Sequence, residues 1–209
     1  MSVRLGTVAD ADTVARLHIA LIDTGFLASL GPRFLRRLYR RMALSPDSFL
    51  LIAEGRRGEA PGADAIVPGV AGFVTGSIHL EALYRRFILR DGVAAAAVCL
   101  PRLLRSWRLA LDTLGHGTGG RGTEFEGAEM ITLGVDPAWR GRHVSKALID
   151  GFLAELTRRG ESTATQLFVA EDNATALALY DRYGFFVADR YEHHRGTVSL
   201  LMRRPADAP

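Results

Sequence analysis

Apolar and polar positions change period several times along the chain, and each change marks an element. Val14, Leu17, His18 and Leu21 recur at helical spacing behind Asp10 and Asp12, either of which could cap that helix. Pro32 opens a second helix, with Phe34, Leu35, Leu38 and Met42 in one stripe and Arg36, Arg37, Arg40 and Arg41 mostly outside it; Pro46 closes it. Strands are expected at Val3–Val8, Phe49–Glu54 and Val70–Ile78, the last two joined by a Gly- and Pro-rich hairpin loop. Helical patterns follow at Glu81–Arg90 and Val93–Leu114, where Pro101 must start, kink or break a helix. The glycine-rich stretch Gly115–Gly127 reads as a flexible linker.

The remaining third is more regular. A strand, Ala128–Val135, leads through a turn at Asp136–Arg142 into a helix, Val144–Arg159. Leu148, Ile149, Phe152, Leu153 and Leu156 form its apolar face, and Gly160 stops it. A strand at Gln166–Ala170 and a helix at Asn173–Tyr183 come next, the helix facing inward through Ala176, Leu179, Tyr180 and Tyr183. Strands Phe186–Glu192 and Thr197–Met202 close the chain around the turn His193–Gly196.

The length of 209 residues suits one domain, here with an insertion at about 79–127. Cys99 is the single cysteine, so no intrachain disulfide can form and a reducing, cytoplasmic setting is expected. It sits in the apolar run Val93–Leu100 and reads as a small buried hydrophobe. That run is too short to span a bilayer, which takes roughly 18–20 residues, and the start MSVRLGTVADAD lacks a leader pattern. Net charge is +3, and no groove-reading or base-stacking motif accompanies it, so no nucleic-acid partner is expected. Lys146 is the only lysine in a chain rich in Ala, Gly and Arg, a bias common in GC-rich bacteria.

Chemistry first shows at Trp139-Arg140-Gly141-Arg142-His143-Val144-Ser145-Lys146. A strand, a basic turn, a helix and a strand make a parallel crossover. The unpaired N–H groups and positive dipole end of its helix suit a pyrophosphate, with Arg140, Arg142 and Lys146 adding charge. Taken alone, the turn reads rather as a solvated basic loop.

Two motifs together change that picture. Residues 128–148 resemble the strand–loop–helix of the GNAT (GCN5-related N-acetyltransferase) superfamily, whose pattern is Arg/Gln-x-x-Gly-x-Gly/Ala. Arg140 fits its first position; His143 replaces the middle glycine and Ser145 the last small residue. Downstream, Asn173-x-x-Ala176-x-x-Leu179-Tyr180-x-x-Tyr183-Gly184-Phe185 is similar to the family's Asn-x-x-Ala-x-x-φ-Tyr-x-x-φ-Gly-Phe, where φ is apolar. The close resemblance covers 128–185; the insertion lies outside it.

The resemblance implies an α/β (α+β) fold. Its mixed, mostly antiparallel sheet carries a central splayed parallel pair, flanked by helices. It implies an enzyme that transfers an acetyl group from acetyl-CoA, as co-substrate, to the amine of a small molecule such as an amino sugar. The thioester would be attacked directly and no metal used. The cofactor would lie on Leu133, Gly134, Val135, Arg140, Gly141, Arg142, His143, Val144, Ser145 and Lys146, with Asn173 and Tyr180 beside its arm. Glu129 would act as base, through a water, and Tyr180 as the acid at the departing thiolate. Plainer readings are a solvated strand-end glutamate and a core tyrosine. Tyr183, at the apolar position, would pack, and His193 and His194 would border the acceptor. Two alternatives stay open: a module that binds acyl-CoA without turnover, or an acetyltransferase of protein N-termini or lysines. The insertion's two amphipathic helices would bury their apolar side as a lid over the acceptor, in a homodimer interface, or on an anionic membrane surface.

Overall fold

The computed structural model describes residues 1–22, 26–55, 65–105, 125–161, 164–192 and 198–206, with backbone alone at 26 and 99–105. Among these, seven strands form one sheet: β1 (Ser2–Leu5), β2 (Ser48–Glu54), β3 (Val70–Ser77), β4 (Ala128–Val135), β5 (Thr165–Ala170), β6 (Phe186–Glu192) and β7 (Val198–Arg204). Their order is β1-β2-β3-β4-β5-β7-β6, and only β4 and β5 pair in parallel. The helices are α1 (Ala11–Leu21), α2 (Phe26–Ser29), α3 (Pro32–Leu44), α4 (Leu80–Arg105), α5 (Val144–Arg158) and α6 (Ala174–Asp181).

Covered on both faces, the middle of the sheet has two cores. β2 shows why its sequence is an almost unbroken apolar run. Phe49, Leu51 and Ala53 face α5, packing with Leu148, Ile149 and Phe152. Leu50 and Ile52 face α1 and α3, packing with Leu17, Leu35 and Tyr39. Each large side chain so buried contributes roughly 1.5–3 kcal/mol relative to exposure. The arginines of α3 lie off its buried stripe of Leu35, Leu38, Tyr39 and Met42.

Two expectations change. β1 stops at Leu5 because the chain turns at Thr7, whose N–H and hydroxyl both donate to Asp10, at 2.7 and 3.0 Å. Asp10 also pairs with Arg4 at 2.8 Å, which holds its carboxyl down at about 2, and its side chain does not cap α1. The helices expected at Glu81–Arg90 and from Val93 are one, α4, running through Asp91 and Gly92. A helical glycine costs about 1 kcal/mol relative to alanine. Here Leu83 and Phe87 are buried in the second core, and Arg41–Asp91 (2.7 Å) and Arg86–Asp47 (3.0 Å) pair across to α3 and its exit loop, offsetting that cost. The expected continuation over 106–114, most of the glycine-rich stretch, the Cys99 side chain and the turn with His193 and His194 lie outside the described residues. No helix among the described residues is long and apolar enough to cross a membrane.

Candidate active site

β4 and β5 pair over only Ala128–Met130 and Thr165–Leu167. The cause is visible on the other side of β4. Thr75 of β3 pairs with Thr132, but Gly76 pairs with Met130, so Ile131 is an extra residue in β4. A bulge bends its strand and increases local twist. The bend falls right after the last parallel pair, and the strands part. From there Leu133, Gly134 and Val135 pair with Val74, Phe73 and Gly72 of β3, while their β5 side is open. The wedge predicted between these strands is therefore present, with backbone hydrogen-bonding groups along one wall.

The loop that closes the wide end of the wedge is held from beneath. Asp136, fully buried, accepts from the N–H groups of Ala138 (2.9 Å) and Ile66 (2.7 Å). Trp139 is buried in the first core, and the Arg142 guanidinium lies 5.4 Å over its ring. Arg140, Gly141, Arg142 and His143 then stand exposed. Gly141 (φ 75°) and His143 (φ 59°, ψ 24°) are both left-handed, His143 being the only non-glycine residue with positive φ among those described. Histidine occupies this region more readily than most residues with a Cβ. His143 thus takes a left-handed conformation of the kind glycine adopts without strain, and α5 starts immediately after. Its first helical hydrogen bond runs from Ala147 N–H to the His143 carbonyl (3.0 Å), so the amides of Val144, Ser145 and Lys146 have no intrahelical acceptor. Val144 is buried as the anchor of this turn, Ser145 is half-buried and Lys146 is exposed. Among the described residues Arg140 and Lys146 have no carboxylate partner.

α6 explains the second motif physically. Asn173 caps it, its Oδ1 accepting from Ala176 N–H at 3.1 Å. At the other end Phe185 N–H donates to the Tyr180 carbonyl (3.1 Å) and Gly184 N–H to Asp181 (2.9 Å), the paired bonds of a Schellman cap. Gly184 sits at φ 76°, where a Cβ would cost roughly 1–2 kcal/mol. The cap brings the Phe185 ring to 5.7 Å from that of Tyr180 and so fixes both side chains. Tyr180 is buried, and burial pushes its hydroxyl up to about 12. Tyr183 does more than pack: its hydroxyl donates to Asp150 at 2.6 Å and lies 3.2 Å from the Lys146 carbonyl, tying α6 to α5. Burial and the Asp150 carboxylate both raise its pKa.

Glu129 lies on the opposite face of β4 from Met130. It is buried, and its Oε2 accepts from Gln166 Nε2 at 2.9 Å. The expected alternative, a solvated strand end, is not what the fold makes of it. Glu129 opens onto a cleft of about 1080 Å³ whose walls include Phe168, Tyr191 and Arg203 on the sheet, Tyr84 and Arg85 on α4, and Phe125–Gly127. The start of the insertion therefore borders this cleft. Sequence reading missed Gln166 and Arg203, polar residues at the ends of apolar strands, and that position was their only signal. It also read His18 as part of an apolar stripe. His18 is buried against Tyr39, sharing a hydrogen bond through Nδ1, and Tyr39 hydrogen-bonds Thr132 beside the β4 bulge. Burial holds His18 down at about 4, so it is neutral at neutral pH, and raises Tyr39. No cluster of three metal-ligating side chains occurs among the described residues.

The model of the acetyltransferase (GNAT) family matches residues 70–185, more than half of the chain. The chain belongs to the GNAT acetyltransferase family. It is similar to a mycothiol acetyltransferase of Geodermatophilus obscurus, 43% identical over 70 residues, which are 34% of this chain and 22% of that protein. It is also similar to the N-alpha-acetyltransferase RimI of Mycobacterium tuberculosis, 38% identical over 93 residues, 43% of this chain and 56% of RimI. The chain thus matches well under two thirds of the length of either relative. A GCN5-related N-acetyltransferase from Kribbella flavida shares the fold, with a TM-score of 0.62 at 19% identity, covering 98% of this chain and 96% of that one. The family match spans β3, β4 and β5, and so includes the bulge, the open edge of β4 and the loop before α5.

Proposed function

We propose that the protein transfers an acetyl group from acetyl-CoA to the amine of a small molecule. We propose further that residues 1–209 act as one acetyltransferase domain carrying the insertion at about 79–127. The observation that carries this reading is the wedge. Its open backbone edge at Leu133–Val135 ends in a left-handed loop and a helix N-terminus beside Arg140 and Lys146. That arrangement fits an extended arm ending in a pyrophosphate.

Acetyl-CoA supplies the acetyl group as a thioester. The amides of Val144, Ser145 and Lys146, with Arg140 and Lys146, bind the pyrophosphate. Gly141, Arg142 and His143 shape the loop around it. Along the wedge, amides of Leu133–Val135 orient the arm, and one of them stabilises the oxygen that gains charge. Asn173 lines the arm from α6. Glu129 takes a proton from the substrate ammonium, directly or through a water, because an alkyl amine near pKa 10.4 is protonated at neutral pH and cannot attack. Gln166 orients the receiving carboxylate. Nitrogen then bonds to the acyl carbon and the C–S bond breaks. With Tyr180 near 12 and a thiol near 8.5, full proton transfer from the phenol is uphill. Tyr180 therefore donates a hydrogen bond to the departing sulfur, and the proton that completes the thiol comes from the acylated nitrogen.

The mycothiol acetyltransferase relatives favour a small acceptor. The RimI relative keeps a protein N-terminus as the second reading. The test is release of CoA thiol with a panel of small amines and of peptides with free N-termini, with stabilisation by acetyl-CoA as the binding control. Turnover of small amines is expected. Turnover confined to peptides selects the second reading, and stabilisation without any turnover selects a binding module.

A further inference from the structure

We infer that the cleft beside Glu129 takes an acceptor that carries an anionic group several bonds from its amine, the anion being held by Arg203. The inference rests on the acetyl-transfer reading above, and it comes from one rung of the sheet. Ser77 pairs with Glu129, Glu129 with Gln166, and Gln166 with Arg203. Residues directly opposite one another on adjacent strands point to the same face, so all four project together. Glu129, Gln166 and Arg203 all line the cleft. Glu129 and Arg203 are two strand spacings apart, roughly 10 Å between backbones. Gln166 stands between them and spends its Nε2 on Glu129. The rung thus has an anion at one end, a cation at the other and a neutral spacer fixed between.

Arg203 is prepared for an oxygen ligand. Its guanidinium lies 5.0 Å over the Phe125 ring, which leaves the in-plane N–H groups as the available donors. Its Nε is buried and has no hydrogen-bond partner. Among the described residues no carboxylate pairs with it. Buried donors are rarely left so, and a planar guanidinium suits a carboxylate or a phosphate equally. Beside the rung, Phe168, two residues along β5 from Gln166, and Tyr191 on β6, with rings 5.8 Å apart, form an apolar wall for the acceptor's carbon skeleton. The other carboxylates on the cleft, Glu81, Glu126 and Glu161, repel an anion; Arg85 on α4 is a second cation there, but Arg203 is the one that shares the rung with Glu129. An amine and an anion on the same carbon cannot reach both ends.

The full chain is assayed for CoA thiol release at saturating acetyl-CoA with matched acceptors. These are butylamine, 4-aminobutyrate, an aminoalkyl phosphate, glucosamine, glucosamine 6-phosphate and alanine. KM is expected to be at least about tenfold lower for members with a distant anion than for their neutral partners and for alanine. The carboxylate and phosphate arms show which anion is preferred. Arg203→Gln should remove that advantage while leaving KM for the neutral amines and acetyl-CoA affinity unchanged; Arg203→Lys should restore part of it. Equal KM values across matched pairs in the unaltered protein would overturn the inference, as would an Arg203→Gln effect of the same size on all acceptors. Calorimetric binding of the same compounds in the presence of CoA separates this from failure of the parent reading. Arg203-dependent binding without turnover removes acetyl transfer and keeps the anion site. Binding that ignores Arg203, or no binding, removes the site.

Discussion

The two ends of the β4–β5 pair are built by different means. At the wide end the proposed binding groups are backbone: strand amides freed by a bulge, a left-handed loop and the first turn of α5. At the narrow end they are side chains, with Glu129, Gln166 and Arg203 on one rung and aromatic rings around them. A backbone site tolerates side-chain replacement as long as the dihedral angles survive, which is how His143 can stand in a glycine position. A side-chain site has no such reserve. Removing one group changes both the chemistry and the partner left behind.

The largest expected effect therefore lies at the narrow end. Glu129→Gln should lower kcat by about 10²- to 10³-fold, the range of a lost general base, with acetyl-CoA affinity unchanged. The loss should be greatest at low pH, where more of the amine needs deprotonating. A comparable fall in acetyl-CoA affinity would place Glu129 at the wrong end. Tyr180→Phe should lower kcat by about 10- to 100-fold with little change in KM, since a hydrogen bond to charged sulfur exists mainly in the transition state. An unchanged kcat would leave Tyr180 as a packing residue.

Effects at the wide end should be smaller and read in binding. Arg140→Ala or Lys146→Ala should raise the Kd for acetyl-CoA by about 5- to 30-fold each, roughly 1–2 kcal/mol, and the effect should shrink with salt. His143→Gly should relieve about 1 kcal/mol of backbone strain, seen as a raised Tm, and keep or improve that Kd. A large loss of affinity would show that the ring itself contacts the cofactor and that the loop is not purely backbone.

A separate effect bears on stability alone. His18 is held down at about 4 against 6.5 in the unfolded chain. Unfolding then takes up a proton between those values, so stability falls as pH drops from about 6.5 to 4 and is level again below. Equilibrium denaturation of His18→Gln across that range should show a flatter acid limb; an unchanged limb would mean that His18 does not titrate in this way.

The contrast also explains what could be read from the chain. The proposed cofactor end is written locally. Asn173, Gly184 and Phe185 are a helix cap at either end of α6, and strand, loop and helix over 128–158 follow in one stretch. Local dihedral demands leave local signatures. The proposed acceptor end draws on Glu129, Gln166 and Arg203, and nothing in any one strand shows that they share a rung. α4 was misread as two helices for the same reason: Gly92 argues for a break, while Arg41 and Asp47, which hold α4 in place, come from elsewhere in the chain. His18 looks apolar in the sequence because its partner Tyr39 lies on α3, and Tyr39's own partner Thr132 on β4.

The most direct test is a two-substrate initial-rate matrix, varying acetyl-CoA against an amine that turns over. Wide and narrow ends meet across one wedge, so both substrates should be bound together and the amine should attack the thioester directly. Double-reciprocal lines that intersect are predicted. Parallel lines, the signature of an acetylated enzyme between half-reactions, would contradict the account.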